Sequence, residues 1–120
     1  MPARLPIAFA ATPPTPMELW TGGDDGLTQR LADAVREEFR QSGRFALVEA
    51  GGDAGALRVG IPTHVAWQVV EGRTRLTYRL ELERGGRRVA ATGGSCWEDE
   101  LDRCARMLVR TVAGGSKPVG

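Results

Sequence analysis

Two stretches in the middle of the chain alternate between apolar and polar positions. From Leu57 to Val69 the odd positions (Leu57, Val59, Ile61, Thr63, Val65, Trp67, Val69) make one face, while Arg58, His64 and Gln68 fall on the other. From Arg73 to Glu83, Leu76, Tyr78, Leu80 and Leu82 alternate with Arg75, Thr77, Arg79, Glu81 and Glu83. A period of two is that of a strand with one face in a core and one in water. The spacing therefore predicts two long strands joined at Glu71–Gly72–Arg73. The "RGGR" at 84–87 then turns the chain into a third strand over Val89–Gly93. Pro62 cannot donate to a ladder, so the first of these strands carries a bulge there or lies partly at an edge.

A different period frames this meander. Leu27, Leu31, Ala34, Val35 and Phe39 recur at helical spacing, with Asp24 or Asp25 able to cap the start and Gly43 able to end the helix. Leu101, Cys104, Ala105, Leu108 and Val112 make a second stripe. It begins near Glu98, where Ser95 and Glu98 stand at capping-box spacing and an acidic first turn suits the helix dipole. Leu5–Ala10 and "RFALVEA" at 44–50 read as further strands. Residues 12–26 read as a loop, because Pro13, Pro14 and Pro16 forbid helix and Gly22, Gly23 and Gly26 follow.

The resulting order, β-α-β-β-β-β-α, has strands wet on one side and two helices that each need a partner for their stripe. That combination predicts an α+β two-layer sandwich, with both helices on one face of a mixed, mainly antiparallel sheet. At 120 residues the chain is expected to be one domain, with an ordered core over about 5–113 and a C-terminal tail from 114 to 120.

Composition narrows the function classes. Sixteen Lys and Arg against fifteen Asp and Glu leave a formal net charge of +1, so no global field draws nucleic acid or anionic membrane. No apolar run approaches the roughly 18 residues that span a bilayer. The N-terminal "ARLPIAFAAT" is too short an apolar run, and is interrupted by Pro6, so it reads as a strand rather than an export signal. A membrane tether would then require a leader removed upstream.

Candidate chemistry is sparse. Cys96 and Cys104 are the only cysteines and His64 the only histidine, too few ligands for a zinc site of about four. No CxxC pair, phosphate loop or cofactor motif is present. Inside one helix, eight residues would hold the cysteines about 12 Å apart, beyond the roughly 7 Å limit for a bridge. A disulfide therefore requires Cys96 to lie outside the helix, with the chain bent back beside its second turn; otherwise Cys104 is a small core residue and Cys96 a surface one. His64 has outward parity and Cys104 faces inward, so the pair does not read as nucleophile and base. The "EDELD" cluster reads as a solvated helix start. The chain is expected to be no enzyme and to need no cofactor or metal.

Two surfaces remain. Arg73, Arg75, Arg79, Arg87 and Arg88 could present a basic sheet face to RNA or DNA, but the aromatics such sheets stack on bases have inward parity here. Trp20, with Leu19 and Met17 beside it in the Pro/Gly-rich loop, is a candidate cover for the sheet edge or anchor for a partner.

Taken together, "LPIAFAA", "LTQRLADAVREEFRQSGRFALVEA", "ALRVGIPTHVAW", "RTRLTYRLEL", "GGRRVAATG" and "LDRCARMLVRTV" resemble a recurring domain of bacterial envelope proteins. The N-terminal domain of TolB and the CsgG and LpoB lipoproteins share it. The resemblance implies a non-enzymatic accessory module at the periplasmic face of the envelope, possessing other envelope proteins as partners. It also departs from that pattern, since no lipobox cysteine stands near the N-terminus and the Cys96/Cys104 pair is not part of it. The alternative is a cytosolic nucleic-acid-binding domain that uses the arginine face.

Overall fold

A sheet with one wet face needs its other face covered, and in the computed structural model the two amphipathic helices supply that cover. The structure describes residues 13–52 and 55–115; the strand expected over Leu5–Ala10 lies outside them. The elements are β1 (Thr15–Thr21), α1 (Gly26–Ser42), β2 (Phe45–Leu47), β3 (Leu57–Ile61), β4 (Ala66–Val70), β5 (Arg73–Arg84) and β6 (Arg87–Trp97). A single 3-10 turn at Glu98–Glu100 then leads into α2 (Leu101–Gly115). The architecture is the expected α+β sandwich on a mixed, mostly antiparallel open sheet. β1 pairs in parallel with β2 and β3, and β5 pairs antiparallel with β3, β4 and β6.

One continuous core joins the layers. Met17, Val59, Tyr78 and Leu80 from the sheet meet Leu31, Val35 and Phe39 of α1, and Cys104, Leu108 and Val112 of α2. Each helix follows from its stripe and its ends. Asp25 caps α1, accepting from Thr28 N at 3.1 Å and from the Thr28 hydroxyl at 2.6 Å, and Gly43 closes the helix with φ 73°. The hydroxyl bond, ahead of the backbone one, holds the Asp25 carboxyl below the usual carboxylate range. Thr28 is fully buried, and its Oγ1 also accepts from Val65 N at 3.0 Å, which ties the start of α1 to the segment between β3 and β4.

Four expectations change. First, residues 12–26 are not all loop, because β1 occupies Thr15–Thr21. Proline forbids helix, but its φ suits extended chain. Pro16 sits where β1 is paired only with β2, since pairing with β3 begins at Met17. Second, the strand expected over Leu57–Val69 is two. It breaks at Pro62, so that β3 pairs with Glu81–Arg84 and β4 with Arg73–Thr77, both along the same flank of β5. Third, the strand expected over Val89–Gly93 runs from Arg87 to Trp97. Gly93 and Gly94 read as a turn in sequence, but Tyr78 crosses them: a Cβ at Gly94 would stand 2.5 Å from its hydroxyl. Burial there pushes the Tyr78 phenol up. Fourth, Ser95 is no helix cap. It lies on β6 with its hydroxyl 3.5 Å from that of Thr77, and α2 begins only at Leu101. α2 also extends to Gly115, into the stretch expected to be tail.

Candidate interaction surface

Alternation along β1 decides where its side chains go. Met17 points under the helices and is fully buried, Leu19 packs against the same core, and Glu18 and Trp20 take the reverse face. The three residues expected as one exposed cluster are therefore divided between two faces. Met17 is core rather than anchor, and Trp20 is half-buried on a strand rather than free in a loop. The Trp20 indole fills the place that a side chain at Gly60, its neighbour on β3, would take. Arg58 stands over that ring, 5.5 Å from its centroid, with Nε 3.2 Å from the buried Glu18 and Nη1 2.9 Å from Glu83.

Gly60→Ala is thus expected to destabilise the fold by about 1–3 kcal/mol, the usual cost of overpacking. Combining it with Trp20→Ala should recover most of the loss. Urea unfolding of the two single variants and the double variant measures this coupling, and strictly additive losses would contradict it.

The cysteines stand where a bridge demands. Cys96 ends β6 and Cys104 lies in the first turn of α2, their Cα atoms 5.7 Å apart, and the two are joined as a disulfide. The intervening turn is pinned a second time. Arg73 grips Asp99 with a fork of two bonds, Nη2 to Oδ1 at 2.7 Å and Nε to Oδ2 at 3.1 Å, while its guanidinium lies 4.2 Å from the centroid of Trp97. That bond lowers the Asp99 carboxyl and raises the Arg73 guanidinium. The acidic helix start is therefore partly a docking point for β5. The Arg73–Trp97–Asp99 group joins residues 26 apart in sequence, so helix-end reasoning had no means of finding it.

Both thiols are consumed in the bridge. His64 is largely exposed, between Asp24 at 3.5 Å and Asp25 at 3.6 Å beside the start of α1. Among the described residues no three His, Cys, Asp or Glu side chains cluster as metal ligands. The basic face is broken up as well: Arg73 pairs with Asp99, Arg58 with Glu18 and Glu83, and Arg88 with Glu81 at 3.3 Å, while Arg75 and Arg79 are exposed between them.

Among the described residues the most apolar exposed surface lies instead on β4. Trp67 is 64% exposed and Val69 63%. The sequence placed both inward, and their parity is as expected, since Trp67 pairs with the buried Leu76. Their burial is not, because the helical layer stops at Val65 and leaves the strand beyond it uncovered. Among the described residues β4 has no partner on its outer edge. On the other side of β5, a cleft of about 540 Å³ is lined by Arg75, Cys96, Trp97, Glu100, Arg103 and Met107. The disulfide forms part of its wall.

Comparison with known proteins identifies the fold. No family model matches the chain, and no curated protein does. Solved structures do. A minor lipoprotein from Acinetobacter baumannii superposes with a TM-score of 0.59 at 12% identity, covering 87% of this chain and 96% of that one. PelC from Paraburkholderia phytofirmans, a dodecamer, superposes with a TM-score of 0.55 at 12% identity, covering 91% and 93%. A second PelC dodecamer crystal form gives 0.53 at 14% identity, covering 88% and 90%. This chain shares its fold with these bacterial proteins over 87–91% of its length. Among the described residues no helix is long and apolar enough to cross a membrane.

Proposed function

We propose that this chain is a non-enzymatic accessory domain of the bacterial cell envelope, working at its periplasmic face by contact with other proteins through the β4–β5–β6 end of the sheet. The observation that carries the reading is the Cys96–Cys104 bridge, a feature of chains that mature in oxidising compartments. Cys96 lies across β5 from Trp67, both opposite Leu76, at the end of the sheet that offers an uncharged strand edge and an exposed tryptophan. Two further points support it. The fold is that of a minor lipoprotein of Acinetobacter baumannii and of PelC, which forms dodecamers. The sequence also resembles the module shared by TolB, CsgG and LpoB.

The test is made on the native protein in its own cells, with thiols trapped by alkylation before lysis. The protein is expected in the envelope fraction with both cysteines protected, and in-cell photocrosslinkers at Trp67 and Val69 should capture neighbours that one at the exposed Glu37 of α1 does not. Reduced protein in the cytosolic fraction would overturn the compartment, and equal capture from all three positions would overturn the surface.

A further inference from the structure

We infer that β4 is a self-recognition strand, along which two copies of this chain pair antiparallel about a two-fold axis through Gln68. An open strand edge is a template for another strand, and proteins ordinarily blunt it. The other edges here are blunted. β2 is only three residues long, and β6 carries Arg87, Arg88, two adjacent glycines and a register shift opposite Leu82 and Glu83. β4 has none of these devices: Ala66–Val70 contains no charge, no proline, no glycine and no bulge.

Its sequence is also self-complementary. When Gln68 faces Gln68 of a second copy, Trp67 faces the partner's Val69 and Val69 the partner's Trp67. Aromatic against β-branched is a favourable cross-strand pair, and here it is made twice. Among the described residues these are the two most exposed large apolar side chains, and both lie on the helix side of the sheet. The pairing hides them together and runs two sheets into one.

Electrostatics do not oppose it. The nearest cations on β5 are Arg75 and its symmetry mate, with two β4 strands between them. Three strand spacings make about 14 Å, beyond the Debye length of about 8 Å at physiological salt. Five residues of edge make a small interface, below the roughly 1,200 Å² of standard stable complexes, so the dimer is reversible. The inference follows from register and exposure alone and does not depend on where in the cell the protein works.

Four measurements on the full chain test it. In sedimentation velocity from about 1 μM to about 1 mM, the mass should rise from one chain to two and stop. Val69→Lys, a change at an exposed position that leaves the fold intact by thermal melting, should weaken association at least about tenfold, since each lysine would face a tryptophan across the axis. Paired residues across antiparallel strands lie about 4.5–5.5 Å apart at Cα, within disulfide reach. Gln68→Cys should therefore crosslink to itself on mild oxidation far faster than Ala66→Cys, which meets Val70. Hydrogen exchange of residues 66–70 should slow as concentration rises. A single-chain mass throughout would overturn the inference, as would growth past two chains, which would indicate β4 adding to another edge. So would protection at β4 that ignores concentration, because the chain would then cover its own edge.

Discussion

Phe39→Ala is expected to destabilise the protein by about 3–5 kcal/mol, the range for removing a buried phenylalanine and leaving a cavity. Phe39 is fully buried at the end of the α1 stripe. Its ring stands edge-on to Phe45 of β2, centroids 5.1 Å apart at 86°. The side chain thus joins the helix to the shortest strand of the sheet. Against a typical total stability of about 5–15 kcal/mol such a loss is large. Urea unfolding should show a lower midpoint at unchanged slope. Trp67→Ala removes a larger ring from an exposed site and should shift stability at low concentration by no more than about 0.5 kcal/mol. A Phe39 variant as stable as the Trp67 variant would mean that α1 does not pack as described.

Breaking the Cys96–Cys104 bridge is the second large effect. Closing a loop of this length restricts the unfolded chain by about 2.5 kcal/mol on the chain-entropy model. Cys96→Ala with Cys104→Ala should lower stability by that order, and a reducing agent should do the same to the natural protein and nothing to the double variant. Cys104 is fully buried in the α2 stripe, so alanine rather than serine keeps a polar group out of the core. The loss should show locally before it shows globally. The turn at Glu98–Glu100 would retain only exposed ion pairs, that of Asp99 with Arg73 of β5 and that of Glu98 with Arg30 of α1 among them, and hydrogen exchange at the start of α2 should quicken while that of β3 stays slow. Uniform quickening across the sheet would mean that the bridge supports the whole domain rather than this corner.

What could be read from sequence is what depends on near neighbours. The α1 stripe, the aspartate cap at Asp25 and the left-handed Gly43 all follow from residues a turn or so apart, and all stand in the structure. So does the inward set Leu76, Tyr78, Leu80 and Leu82 on β5. The requirement that Cys96 lie outside the helix came from helix rise alone, and the cysteines meet it. The rest depended on distant partners. β1 hid behind its prolines because only β2 and β3, more than twenty residues away, make Thr15–Thr21 a strand. Trp67 has the parity of a core residue, but burial depends on how far a helix layer reaches, which no local pattern records. Gly93 and Gly94 resemble a turn until Tyr78 is known to lie across them. Among the interaction residues, Met17, Leu19 and Trp20 looked like one cluster because they are adjacent in sequence, and a strand divides adjacent residues between its faces.

The break at Pro62 has an evolutionary consequence. Since β3 and β4 lie end to end along one flank of β5, the load of the hydrophobic interior rests on the first and hardly at all on the second. Mutation can rewrite Ala66–Val70 almost letter by letter without endangering foldedness. Descendants of this chain are thus free to change whom they greet along that margin, while Leu57, Val59 and Ile61 stay under tight purifying constraint.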